Sequence, residues 1–253
     1  MPESTGRALG DFLRSRRERL TPEAVGLPPR PRRRAPGLRR EEVAERAGIG
    51  IDWYVRLEQG RAVTPSLTTI DALAAALCLD ETEHAHLRTL ARHPTRPAFT
   101  REQAPEGTAR LVHSLDRPAY VTGRRWDILT ANTAATALFT GLDRLPADDR
   151  NVLVYLLLTP MAREVFGETW AAQARHTTAQ FRAAYDLQAP DAAFTTLADR
   201  LRHGSPEFRR WWKEHDVASG GAGRKMLHGH AYDYATFQTN EDPALRLTVC
   251  TPR

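Results

Sequence analysis

The chain has 253 residues, 41% of them hydrophobic, which is room and apolar content for two packed domains. Its longest apolar run, VLVYLLL at residues 152–158, falls far short of the roughly 18–20 residues that cross a bilayer, and the first residues lack the apolar core of a secretory signal. Cys78 and Cys250 lie far apart, which excludes a disulfide framework and fits a reducing cytoplasm. The net charge is +5, but residues 1–40 carry eleven arginines against four carboxylates and leave the remainder slightly acidic. A basic end predicts a polyanionic partner for that end. Arginine also supplies nearly all positive charge elsewhere, with Lys213 and Lys225 the two lysines, so location counts for more than abundance.

In chain order, Gly10 to Arg19 predicts a helix with Phe12 and Leu13 inward. Thr21-Pro22-Glu23 reads as a cap, a first-turn proline and an acidic first turn. Residues 26–37, GLPPRPRRRAPG, are too proline-rich for a helix. They form either an arm on DNA phosphates or in a minor groove, or a solvated linker. Residues 38–61 predict two short helices around a tight turn. Val43, Ala44 and Ala47 share one face, Gly48 suits a left-handed helix end, and Ile49 plugs the turn. Ile51 to Gln59 is the second helix, with Tyr54 and Leu57 inward and Gly60 ending it. This is the helix-turn-helix plan, in which the second helix enters the major groove; the competing reading is an ordinary helical hairpin. Ser66 caps a helix over 67–79, and Asp80 with Glu83 makes a capping box for a helix from 81 to about 92. Residues 7–92 are thus expected to form a bundle of about five helices.

The second half differs. Short strands are expected at 120–122 and 127–130, and a short helix at 133–139. Helices follow over 151–166, 169–185 and 191–203, broken at Pro160, Gly167 and Pro190. Ser205-Pro206-Glu207 starts a helix holding Phe208, Trp211 and Trp212. Residues 220–223 read as a flexible glycine loop. Residues 225–250 alternate like strands around a loop at 240–243, with Leu245, Leu247 and Val249 on one face.

The segment LRREEVAERAG, then LEQGR and PS, resembles the DNA-binding domains of lambda-type repressors and their XRE relatives. The arm RRRAPGLRREEVA, Phe181-Arg182, SPEFRRWWKEHDV at 205–217 and the Lys225–His228 segment narrow this: nearly the whole chain resembles the MmyB-like regulators of actinobacteria. The resemblance implies an N-terminal all-α lambda-repressor-like helix-turn-helix domain over residues 1–93, a linker over 94–106, and a C-terminal α+β PAS-like ligand-binding domain over 107–253. It implies a cytoplasmic transcription regulator, a palindromic double-stranded DNA operator, a homodimer, and a small apolar ligand with a fatty acid as the best example. Two departures stand out. Gly50 occupies the position where a small polar residue usually opens the recognition helix, and His228-Gly229 replaces the usual His-Pro.

Base contacts are expected from Arg40, Ile51, Asp52, Trp53 and Arg56. Arg40 and Arg56 can each fork onto guanine, Ile51 can meet a thymine methyl, and Asp52 can accept from cytosine. Phosphate contacts are expected from Arg32, Arg33, Arg34, Arg39 and Arg61. The resemblance implies that Glu58 pairs with an arginine of the first helix, here Arg17. In the second half Trp126, Phe139, Phe166, Trp170, Tyr185 and Trp212 are candidate pocket walls, although any core uses such residues. Asn132, Arg182, His215 and His228 are the polar candidates, with Arg182 either a carboxylate clamp or the partner of Asp199 or Glu207. No nucleophile and base can be nominated, and His84-x-His86 and His228-x-His230 lack partners at metal spacing. No enzyme activity, metal or cofactor is therefore expected. The remaining alternatives are a constitutive dimeric repressor without ligand and an enzyme fused to a DNA-binding module.

Overall fold

The computed structural model describes residues 3–28, 37–61, 64–92, 98–188, 191–239, 242 and 244–253. The chain packs as two compact units, Met1–Pro97 with Tyr185–Ala192, and Ala98–Ala184 with Ala193–Arg253. Among the described residues no helix is long and apolar enough to cross a membrane.

Among the described residues up to Arg92 stand five α-helices, α1 (Glu3–Arg19), α2 (Arg40–Arg46), α3 (Ile51–Glu58), α4 (Leu67–Ala76) and α5 (Glu81–Ala91). The expected helix after Thr21 is only a 3-10 turn, Glu23–Val25, closed by Gly26 at φ 74°. Leu9, Phe12, Leu13, Val43, Tyr54, Leu57, Ile70, Leu73, Leu87 and Leu90 are buried. These are the apolar positions of five amphipathic stripes turned to one core. The helix ends are sharp because their orphan backbone groups are satisfied. After α2 the Ile49 N–H donates to Ala44 O at 3.0 Å with Gly48 at φ 64°. After α3 the Arg61 N–H donates to Arg56 O at 3.0 Å with Gly60 at φ 69°. Both are Schellman closures. Gly60 has a second reason to be glycine, since a Cβ there would lie 2.8 Å from the backbone of Arg7. Ser66 Oγ accepts from Thr69 N at 3.1 Å, and Asp80 and Glu83 cap each other as the sequence predicts.

The C-terminal unit is α+β. It opens with α6 (Glu106–Ser114), a helix the sequence reading leaves out, then β1 (Ala119–Thr122) and β2 (Ile128–Ala131). The helices α7 (Thr133–Leu138), α8 (Val152–Leu158), α9 (Pro160–Phe166), α10 (Trp170–Gln188), α11 (Ala192–Gly204) and α12 (Pro206–Lys213) follow. The chain closes with β3 (Ala222–Leu227), β4 (His230–Gln238) and β5 (Arg246–Pro252). The strands form one antiparallel sheet in the order β2-β1-β5-β4-β3. One sheet face is covered by α6, whose Val112 packs with Ala119, Val121 and Leu245.

Two expectations need correction here. Residues 220–223 are not all loop: Ala222 and Gly223 already pair with Ala235 and Tyr234. Residues 225–238 are not one strand but a hairpin, turned at His228 (φ 51°) and Gly229 (φ 78°). Two successive left-handed residues match the right-handed twist of the strands they join. A proline, locked near φ −65°, could not take the second position.

Candidate nucleic-acid interface and ligand site

The motif helices stand on a buried ionic clamp. Glu58, 1% exposed at the end of α3, accepts from Arg17 Nε at 2.9 Å and Nη2 at 2.6 Å. Arg17 also donates to Leu38 O at 3.0 Å, so α1, α3 and the chain entering α2 are tied at one point. Burial pulls the Arg17 pKa down, and the hydrogen bond and charge of Glu58 more than offset it. Burial first, then the Glu58 charge, pushes the Tyr54 phenol well above its ordinary value. Arg40 Nε bonds the other oxygen of Glu58, and Arg14 lies 3.8 Å from the carboxylate.

That clamp sorts the expected DNA contacts. Ile51 (38% exposed), Asp52 and Arg56 are open to solvent on α3, Trp53 is half-buried, and Tyr54, Leu57 and Glu58 face inward. Arg39 and Arg61 are exposed at the two ends of the motif. Arg40 departs from the free base reader that the sequence suggests, because its guanidinium is engaged by Glu58 and must swing off it or share it to reach a base. Gly50 caps α3 with backbone alone, at φ −64° and ψ 138°. Arg32, Arg33 and Arg34 lie outside the described residues.

In the C-terminal unit the expected ligand residues divide into separate groups. Phe139 is met edge-on by Tyr120 (5.7 Å) and Tyr155 (6.3 Å) and lies 6.3 Å from Phe166. Trp212 stacks on Phe208 at 5.0 Å and lies 5.7 Å from Phe181. Arg182, 8% exposed, places its guanidinium 4.6 Å over Trp212. The carboxylates suggested for it are taken otherwise: Glu207 binds Arg163 at 2.7 Å, and Asp199 binds Arg202. Arg182 walls a cleft with Arg175, Thr178, Trp211 and Asp216, enclosing about 200 Å³ with its open mouth. Its side chains leave no gap wide enough for a water molecule, so a ligand of the usual 300–1,000 Å³ class has to open it.

Several expected ligand residues prove to be builders of the fold. Asn132 caps α7, accepting from Ala135 N at 2.9 Å and Ala119 N at 3.1 Å. Its amide donates to Val112, Leu115 and Arg117 carbonyls. With all its hydrogen-bonding capacity used, it has none left for a ligand. Trp170 Nε1 donates to Leu156 O at 2.8 Å, under the Arg163 guanidinium. His228 donates from Nε2 to Leu138 O at 2.9 Å, and its N–H bonds Val165 O at 2.7 Å, which pins the hairpin tip to α7 and α9. Tyr185 opens the segment Tyr185–Ala192, which belongs to the N-terminal unit, so it is set apart from the other candidates. Trp126 (φ 70°) and His215 (φ 52°) sit in left-handed backbone. Among the described residues the buried indole N–H of Trp126 finds no hydrogen-bond partner, and the ring lies below the guanidinium of Arg246.

The fold and these sites define a DNA-binding transcription regulator with a C-terminal ligand-binding domain. The description of a helix-turn-helix domain matches residues 8–87, and that of the MmyB-like transcription regulator ligand binding domain matches residues 104–253. The second match covers more than half of the chain, which therefore belongs to the MmyB-like transcription regulators. No individually curated protein matches it.

Proposed function

We propose that the protein is a cytoplasmic, homodimeric regulator that reads a palindromic operator through α3 and responds to a small apolar ligand such as a fatty acid. The observation that carries the DNA half is the exposure of Ile51, Asp52 and Arg56 on a helix whose opposite face, Tyr54, Leu57 and Glu58, is locked in the core. Side chains so held present their donors and acceptors to base edges at little ordering cost. Arg39 and Arg61 supply phosphate contacts beside it, joined by Arg32, Arg33 and Arg34 of the arm, and Arg40 exchanges Glu58 for DNA. A monomer reads one half-site, so a symmetric pair reads two half-sites about one helical turn apart.

A sheet with helices α7 to α12 inserted between its second and third strands supports a PAS-like sensor. The aromatic groups around Phe139 and Trp212 support an apolar ligand. A ligand changes DNA occupancy only by its difference in affinity between two arrangements of the protein. Footprinting on the protein's own promoter region, with and without a panel of fatty acids, tests the whole reading. The expected result is a dyad-symmetric footprint whose occupancy a fatty acid shifts. A footprint without dyad symmetry removes the dimer, and occupancy indifferent to every ligand removes the sensor.

A further inference from the structure

Cross-strand partners in an antiparallel sheet share a face. The register places Lys225 opposite Tyr232, Tyr234 opposite Cys250, Thr236 opposite Thr248, and Thr248 opposite Tyr120. One face thus runs from Lys225 at the β3 edge, over the small side chains Cys250, Thr236 and Thr248, to Tyr120 on β1. At the β1 end stand the aromatic rings of Tyr120 and Phe139, with Phe166 and Tyr155 around Phe139. At the β3 end stands a cation. Lys225 Nζ lies 4.2 Å from the Tyr234 ring centre. That ring lies close over Gly223, where a Cβ would come within 3.0 Å of it.

Among the described residues the Lys225 side chain has no carboxylate partner and makes no hydrogen bond. Its titratable neighbours are Cys250 and Tyr234, with His176 on α10 near enough to feel its charge. Burial lowers the Lys225 pKa, against smaller raising influences from Cys250 and Tyr234. Burial first, then Lys225, also lowers that of His176. Lys225 is half-buried, and a cation drawn even partly out of water without an anion is costly. Lysine, unlike arginine, can lose its proton there and regain it when an anion arrives. The chain places arginine at nearly every other cationic position.

We propose that Lys225 is the anion-binding residue of the C-terminal domain, holding the carboxylate of a medium-chain anionic amphiphile whose tail runs across the sheet toward Tyr120 and Phe139. Three strand spacings separate β3 from β1, about 14 Å, and Tyr120 lies four register positions further along the sheet than Lys225, about 13 Å, so a medium-length alkyl chain held at Lys225 runs diagonally toward Tyr120 and Phe139 and covers most of the way. This assignment rests on the apolar-ligand reading above and moves the charged anchor from Arg182 to Lys225.

The test uses the full chain and two probes of equal length, dodecanoate and dodecan-1-ol, titrated calorimetrically below their aggregation limits. The wild-type protein should bind the carboxylate about tenfold or more tighter than the alcohol, the scale of a charge-assisted hydrogen bond in a desolvated site. Lys225→Met should abolish that preference and keep alcohol binding. Lys225→Arg should keep most of the preference. A Lys225→Met protein that still prefers dodecanoate overturns the proposal, as does a wild-type protein that binds both probes equally. Should Lys225→Met fail to fold, Lys225→Gln carries the same expectation, and the wild-type comparison needs no variant. Wild-type protein that binds neither probe overturns the apolar-ligand reading itself, and this proposal with it.

Discussion

The two units treat a charge drawn out of solvent in opposite ways, fully buried at Glu58 and half-buried at Lys225. In the N-terminal unit the carboxylate of Glu58 is surrounded by cations, bonded by Arg17 and Arg40 with Arg14 nearby. In the C-terminal unit Lys225 is a cation with the Tyr234 phenol ring and the Cys250 thiol around it, and no carboxylate partner among the described residues. The first arrangement is complete within the chain and acts as a rivet for the surface that meets DNA. The second is complete only when something arrives from outside. A DNA-reading surface benefits from being fixed before it meets its target, whereas a sensor needs a free energy that differs between empty and occupied.

The sharpest way to break this contrast is stability. Glu58→Ala leaves Arg17 buried without its partner and should cost about 3–5 kcal/mol of unfolding free energy in chemical denaturation. A loss under about 1 kcal/mol would mean that the clamp is ornamental. On the DNA side, Arg56→Ala should remove about 1–3 kcal/mol of preference for the operator over random sequence, read by competition binding. Equal binding of both DNAs by wild type and variant would show that α3 is not the reading helix. In the unliganded protein Lys225→Met should do the reverse of the Glu58 change, leaving stability unaltered or raising it by up to about 1 kcal/mol, since an unpaired cation gives way to packing. A large loss would reveal a structural partner.

A pH series sharpens the same point. The Lys225 pKa is lowered on folding, so the native state sheds this proton first. Between the folded value and the ordinary lysine range the unfolded chain holds more protons, and stability rises with pH there. Lys225→Met should flatten that rise relative to wild type; Cys250, whose pKa burial raises and Lys225 lowers, is pushed further up in the variant, so the comparison is made in the Cys250→Ala background. The smallest effect expected is that of Arg39→Ala, which should weaken all DNA alike and reduce the salt slope by about one.

How much of this the sequence discloses depends on how local the cause is. The turn at Gly48, the stop at Gly60, the caps at Ser66, Asp80 and Ser205, and the pair of Glu58 with Arg17 were all readable, because each follows from residue type at fixed spacing or from the family pattern. The helix α6 was not: Val112 is its one fully buried residue, Leu111 is 50% exposed, and so its apolar stripe is too thin to stand out. The His228-Gly229 turn lacks the Asn-Gly or Asp-Gly signature, so one hairpin looked like one strand. The candidate ligand residues were chosen by residue type, and type does not say which polar groups are already spent. Asn132 exhausts its hydrogen bonds on three backbone segments, and Trp170 gives its indole N–H to Leu156. Lys225 was visible only as one of two lysines; its place on the sheet depends on pairings that no local pattern encodes.

The pinned hairpin tip has a mechanical consequence. His228 nails the end of β3 and β4 to α7 and α9, while β3 itself is an edge strand bonded to β4 alone. The far end, at Ala222 and Gly223, is bonded by a single row of hydrogen bonds to β4, and the strand packs besides against α9 and the Gly167–Thr169 turn. Lys225 thus lies between a tip fixed to two helices and a far end where the Tyr234 ring crosses Gly223, so its position is set from both sides.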